Sequence, residues 1–265
     1  MSNILNTLNK VSKLSREAEK EREILFRVQR FDPEKDKEPR LENYTLKVLN
    51  RMSILDILFL IQREKDPTLT FRYACRAGMC GSCAVVINGK EGLACKTKLF
   101  TIKSDKITIT SLRNLPLIKD LAVDFTPFFD KLRMVEAYFL PLDRRLEHRI
   151  LPPTEKRRRQ ILEGLDCISC AACYSACTML SWDKNYLGPA ALNRVFCLAA
   201  DERDANLYKR LSLVDNEHGC WACHQLFDCT VVCPKGISPT LSIQRLKALV
   251  LTHRLPLLKR LLKKF

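Results

Sequence analysis

Arg72-Tyr-Ala-Cys75-Arg-Ala-Gly-Met-Cys80-Gly-Ser-Cys83, with Cys95 beyond it, has the spacing C-x4-C-x2-C-x11-C. Three cysteines within nine residues demand a loop folded around whatever the thiolates hold. Gly78 and Gly81 permit positive φ and bring backbone N–H groups close enough to hydrogen-bond the sulfurs. Cys95 comes from the far side of a hairpin, because Ala84-Val85-Val86-Ile87 and the Asn88-Gly89 turn read as strand and tight turn. Working outward, Ile24-Leu25-Phe26-Arg27-Val28-Gln29-Arg30-Phe31 and Tyr44-Thr45-Leu46-Lys47-Val48-Leu49 partly alternate apolar with polar, as half-buried strands do. Ser53 with Asp56 is an acidic variant of the capping box and opens a helix carrying Ile54, Leu55, Ile57, Leu58 and Ile61. Ile107-Thr-Ile-Thr110 adds a further strand, so the first half is α+β.

Beyond about Leu115 the strand signal stops. Residues 118–140, 188–200 and 239–253 carry helical periodicity with Pro, Ser or Gly at or near their ends, and Pro127 splits the first of them. The expected organisation is a polar N-terminal arm over 1–22, a mixed domain over 23–114, an all-α domain over 115–254 and a basic amphipathic tail over 255–265.

Two more cysteine sets lie in the helical half. Cys167-Ile-Ser-Cys170-Ala-Ala-Cys173-Tyr-Ser-Ala-Cys177 is C-x2-C-x2-C-x3-C, with Thr178 where Pro usually follows. Cys223-His-Gln-Leu226-Phe-Asp-Cys229-Thr-Val-Val-Cys233-Pro234 keeps that register with Leu226 at the second cysteine position. The first set has the plant-type [2Fe-2S] spacing, and its strands and helix resemble the β-grasp fold of plant-type ferredoxins; the later runs have the bacterial-ferredoxin form. Where two such runs share clusters, the fourth cysteine of each ligates the other cluster. Counting on that basis gives Cys75, Cys80, Cys83 and Cys95 to a [2Fe-2S] cluster, and Cys167, Cys170, Cys173 and Cys233 to a [4Fe-4S] cluster. Cys177, Cys223 and Cys229 remain for a [3Fe-4S] cluster whose missing iron is the one Leu226 does not bind. Cys197 reads as a small buried hydrophobe. Cys220, three residues before Cys223, is the alternative fourth ligand that would make the third centre [4Fe-4S]. Structural zinc is the competing chemistry, but it usually takes four thiolates as two separated C-x2-C pairs.

The composition fits this picture. Thirteen cysteines are an odd number, set far too tightly for a disulfide framework, so metal ligation leads. The best apolar run, residues 54–61, falls well short of the roughly 18 residues of a membrane span. The first twenty residues hold no apolar leader core, and Glu17 and Glu19 argue against a transit peptide, so a reducing compartment is expected. The net charge of +15 points to nucleic acid, an anionic membrane surface or an acidic partner without choosing among them.

The combination closely resembles the iron–sulfur subunit of succinate dehydrogenase and fumarate reductase, over about residues 23–250. That resemblance implies a subunit passing electrons singly from an FAD-carrying flavoprotein that oxidises succinate, through the three clusters, to quinone at one or more membrane anchor subunits, with or without a haem b. It implies a peripheral position on the cytoplasmic or matrix-side face of an energy-transducing membrane. Trp182 and His224 match the family's quinone-site positions. Fumarate reduction in the opposite direction is the near alternative, and a zinc-stapled, basic nucleic-acid-binding protein the distant one. The latter lacks aromatics interleaved with its basic residues, so no nucleic-acid partner is expected. Glu155-Lys-Arg-Arg-Arg159 and the Leu255, Leu258, Leu261, Leu262 and Phe265 face of the tail suit a membrane surface or anchor better.

Overall fold

The computed structural model describes residues 19–142, 152 and 154–254. The expected N-terminal arm falls almost wholly, and the basic tail wholly, outside the described residues. The chain divides into two compact units: one runs to Leu112 and resumes over Pro116–Asp124, and the other comprises Arg113–Leu115 and the chain from Phe125.

The first unit is built on a five-stranded mixed sheet of order β2-β1-β5-β3-β4. Its strands are β1 (Glu21–Arg30), β2 (Arg40–Leu49), β3 (Ala84–Ile87), β4 (Lys90–Leu93) and β5 (Lys106–Thr110), and helix α1 spans Ile54–Glu64. β1 pairs antiparallel with β2 and parallel with β5. Ile24, Phe26 and Val28 alternate inward along β1, and the register sets Ile24 opposite Leu46 and Phe26 opposite Tyr44. Burying each such side chain contributes about 1.5–3 kcal/mol. The capping box forms as expected: Asp56 N–H donates to Ser53 Oγ at 3.2 Å, and Ser53 N–H donates to Asp56 Oδ2 at 2.7 Å. All five apolar positions assigned to this helix are buried.

Residues 117–123 depart from the expected helix. They form a two-stranded ribbon, β6 (Leu117–Lys119) and β7 (Ala122–Val123), turning at Asp120 with φ 48°. The cause lies in long-range bonding that periodicity does not register. Asp120 is 1% exposed, and its carboxylate accepts from Arg30 Nε at 2.9 Å, Phe31 N–H at 2.9 Å and Thr70 N–H at 2.8 Å. Helix α2 begins only at Thr126, with Pro127 in its first turn, where a missing N–H costs nothing. Pro127 therefore starts a helix rather than splitting one. Arg30 also bonds Tyr44, Asp66 and Thr68, so this buried cluster ties β1 to the segment leading into the Cys75 loop.

The second unit is helical: α2 (Thr126–Met134), α3 (Lys156–Leu165), α4 (Ala172–Ala176), α5 (Thr178–Trp182), α6 (Pro189–Ala199), α7 (Leu207–Val214), α8 (Asp228–Val231) and α9 (Pro239–Arg254). The buried α6 is its hub, packing against α2, α3, α4, α7 and α9. Arg210, 1% exposed, forks onto the Asp204 carboxylate at 2.8 and 2.7 Å and donates to the carbonyls of Glu136 and Tyr138. No helix among the described residues is long and apolar enough to cross a membrane.

Candidate metal centres

The first cysteine loop is shaped by three left-handed positions: Arg76, Gly78 and Gly81 all have positive φ. The result is a cradle of amides. Cys75 Sγ accepts from the N–H groups of Ala77 at 3.4 Å and of Met79 and Cys80 at 3.3 Å, which hold its thiol down at about 6. Gly78 is needed twice over, for its φ of 73° and because a Cβ there would sit 2.6 Å from the Lys96 stem. Arg76 is held by its side chain, its guanidinium 4.8 Å from the Phe59 ring centroid and 5.4 Å from that of Tyr73. Cys83 and Cys95 come from the β3–β4 hairpin, where Ala94 N–H closes onto the Cys83 carbonyl at 3.0 Å. Burial pushes the Cys83 thiol up to about 12. Two thiols are thus exposed (Cys75 and Cys80) and two buried (Cys83 and Cys95).

In the helical unit the two later runs repeat each other in backbone as well as sequence. Positions two and four after the leading cysteine are left-handed in both: Ser169 and Ala171 after Cys167, Gln225 and Phe227 after Cys223. Each run then enters a short helix, α4 or α8. Leu226 therefore occupies the same place in its loop as Cys170 does in the first run.

Two cavities each draw thiols from both runs. One is lined by Cys167, Cys170, Cys173 and Cys233 with Phe128 and Ile237. The other is lined by Cys177, Cys223 and Cys229, with Leu226, His224 and Tyr186. Burial drives the Cys170 and Cys177 thiols up to about 11 and Cys173 well above its ordinary value. Peptide N–H groups oppose that rise, from Ala172 toward Cys170 and from Leu180 and Met179 toward Cys177. Buried thiols that raise one another, yet receive amide hydrogen bonds, suit thiolates neutralised by a bound cationic cluster. Among the described residues, no three His, Cys, Asp or Glu side chains converge tightly enough for a single metal ion. Thiols arranged around cavities fit polynuclear clusters better than zinc, which wants four sulfurs at about 2.3 Å from one point.

Cys197 is buried on α6 and lines neither cavity, as a packing residue would. Cys220 is fully buried in the 3-10 turn Cys220–Ala222 and is not among the thiols lining the second cavity. His224 lines that cavity; Trp182, at the end of α5, stands outside its lining and is 84% exposed. Thr178 supplies what Pro does not, a hydroxyl donating to Asp228 Oδ2 at 3.2 Å that links the two runs. Asn114, outside any cysteine motif, also belongs to the site. Its Nδ2 donates to the carbonyls of Tyr174, Ser175 and Cys177 at 3.1–3.3 Å, while Arg113 N–H donates to Ser175 Oγ at 2.8 Å. Its one local signal is that Asn tolerates the left-handed φ of 62° found there.

Comparison with known proteins agrees with this chemistry. A family model described as a 2Fe-2S iron-sulfur cluster binding domain matches residues 25–130, and one described as a 4Fe-4S dicluster domain matches residues 163–237. The mitochondrial succinate dehydrogenase [ubiquinone] iron-sulfur subunit 1 of Oryza sativa subsp. japonica is 38% identical, with 85% of this chain and 82% of that protein covered. The fumarate reductase iron-sulfur subunit of Mycobacterium tuberculosis is 35% identical, with 88% and 94% covered. In structure, a chain of the Mycobacterium smegmatis Sdh1 complex in the apo form superposes with a TM-score of 0.78 at 29% identity, covering 88% of this chain and 97% of that one. The chain belongs to the family of succinate dehydrogenase and fumarate reductase iron–sulfur subunits.

Proposed function

We propose that this chain is the electron-carrying subunit of a succinate dehydrogenase, standing between a flavin-carrying subunit that oxidises succinate and a quinone bound at a membrane anchor. When bound, iron–sulfur clusters exchange one electron each, so a series of them divides a two-electron step at a flavin into single-electron steps at a quinone. Cys75, Cys80, Cys83 and Cys95 hold a [2Fe-2S] cluster. Cys167, Cys170, Cys173 and Cys233 hold a [4Fe-4S] cluster, and Cys177, Cys223 and Cys229 a [3Fe-4S] cluster, with Cys220 outside the ligand set. The observation that carries the reading is the sorting of seven of the helical unit's nine thiols around two cavities, four and three, with Leu226 on the loop position of the absent fourth.

The chain's own residues do the holding and orienting. Amides of Ala77, Met79 and Cys80 stabilise negative charge on Cys75, and Asn114 pins the carbonyls between Cys173 and Cys177. His224, on the rim of the three-thiol cavity, is a hydrogen-bond donor for a quinone carbonyl or a haem propionate, and the exposed Trp182 is a wall for the same pocket completed by an anchor subunit. Substrate chemistry belongs to the flavoprotein. The assembly sits on the cytoplasmic or matrix-side face of the membrane.

Anaerobic isolation of the tagged chain from membranes tests this. The expected result is a brown complex that brings along a flavoprotein and a membrane anchor, with two, four and three irons on this subunit and a [3Fe-4S] EPR signal when oxidised. A colourless, zinc-containing protein would overturn the reading.

A further inference from the structure

Two hydroxyl groups are buried against the three-thiol set, and neither belongs to a cysteine run. Tyr186 is 1% exposed and lines the cavity with Cys177, Cys223 and Cys229. Thr240, buried in the first turn of α9, places Oγ1 3.3 Å from Cys229 Sγ. Behind Thr240 stands a line of hydroxyls. Thr230 Oγ1 donates to Thr240 Oγ1 at 3.1 Å, Ser238 Oγ lies 3.3 Å from Thr230 Oγ1, and Ser238 Oγ accepts the Leu241 N–H at 3.3 Å.

The direction of this chain follows from proton bookkeeping. Thr240 receives its hydrogen bond from Thr230, so its own proton is free to point at sulfur. A ligating thiolate carries no proton and can only accept. Every hydroxyl from Ser238 onward is therefore polarised toward Cys229, and each bond strengthens the next.

We propose that Tyr186 and Thr240 are positioning residues that donate hydrogen bonds to the Cys223 and Cys229 sulfurs and thereby raise the reduction potential of the cluster these thiolates hold. This rests on the reading that Cys177, Cys223 and Cys229 ligate a [3Fe-4S] cluster. Reduction adds one electron to the cluster and breaks no bond; the hydroxyl protons stay on oxygen. The added negative charge falls partly on the sulfurs, so a donor stabilises the reduced state more than the oxidised one. The effect retains the electron at the third centre.

The test is an EPR-monitored redox titration of the whole membrane complex carrying Tyr186→Phe, Thr240→Val or Thr240→Ser. A full oxidised [3Fe-4S] signal is expected in each. Tyr186→Phe and Thr240→Val lower its midpoint, leaving about fivefold less reduced cluster at a fixed ambient potential. Thr240→Ser, which keeps the hydroxyl, restores the unmodified midpoint, and the [2Fe-2S] midpoint does not move in any variant. Unchanged midpoints with the signal intact would overturn the proposal. Absence of a [3Fe-4S] signal from the unmodified complex would instead overturn the ligand reading. Should Thr240→Val lose the cluster, Tyr186→Phe decides, since its ring fills the same volume.

Discussion

Leu226 shows how much can turn on one side chain. The left-handed residues that flank it, Gln225 and Phe227, reproduce Ser169 and Ala171 around Cys170, so the loop is already shaped to present a thiol where Leu226 stands. Leu226→Cys is therefore expected to supply a fourth ligand and convert the third centre to [4Fe-4S]. Iron on the subunit would rise from nine to ten atoms per chain and the oxidised [3Fe-4S] EPR signal would disappear. Retention of that signal at nine irons would show that the loop does not deliver the thiol. Asp66 bears on stability rather than redox chemistry. Burial raises its carboxyl, but hydrogen bonds from Thr68 and Arg30 outweigh that and hold it at about 2, against an ordinary 3.8. A depressed acid stabilises the fold above its unfolded value, and that contribution is lost as pH falls from 3.8 toward about 2. Asp66→Asn should remove about 2 kcal/mol at neutral pH and flatten the acid-unfolding curve in that window, as read by circular dichroism of the first unit's sheet.

At the scale of elements, the site depends on short pieces fixed by their neighbours. Gly219 precedes the turn Cys220–Ala222, and a Cβ there would lie 2.0 Å from the Val214 carbonyl oxygen. No rotamer relieves a clash with backbone, so Gly219→Ala must displace the turn and with it Cys223. The expected outcome is a loss of more than about 2 kcal/mol and a diminished third-centre EPR signal, with the [2Fe-2S] signal intact. The elements that could be read in the sequence are those whose cause is local. The capping box of Ser53 and Asp56, the inward alternation of Ile24, Phe26 and Val28, and the cysteine spacings all declare themselves within a dozen residues. The ribbon over 117–123 could not, because its turn is stabilised by Arg30, Phe31 and Thr70, far away in the chain. The left-handed positions of the two runs were equally hidden: Ser169, Ala171, Gln225 and Phe227 are not residues that advertise positive φ.

For the whole molecule, the two units obtain their stability differently. The first has a conventional core, with Ile24, Phe26, Val28, Ile54, Ile57, Leu58, Ile61, Ile107 and Ile109 buried between sheet and helix positions, and its exposed thiols lie outside that core. The second sets seven thiols around two cavities and builds the walls from α4, α5 and α8, helices of four or five residues that are far too short to persist alone in water. Clusters held at these cavities would brace such short helices, so folding of this unit is expected to be coupled to metal. Anaerobic removal of iron by a strong chelator should accordingly act on the units unequally. Hydrogen exchange is expected to accelerate throughout α4, α5 and α8 and along α6 and α9, which pack on them, while β1, β2, β5 and α1 retain slow amides. Equal loss of protection in both units would show that the sheet unit also depends on its metal. Retained protection in α6 would show that Arg210, Asp204 and the α6–α9 packing suffice to hold the helical unit without it.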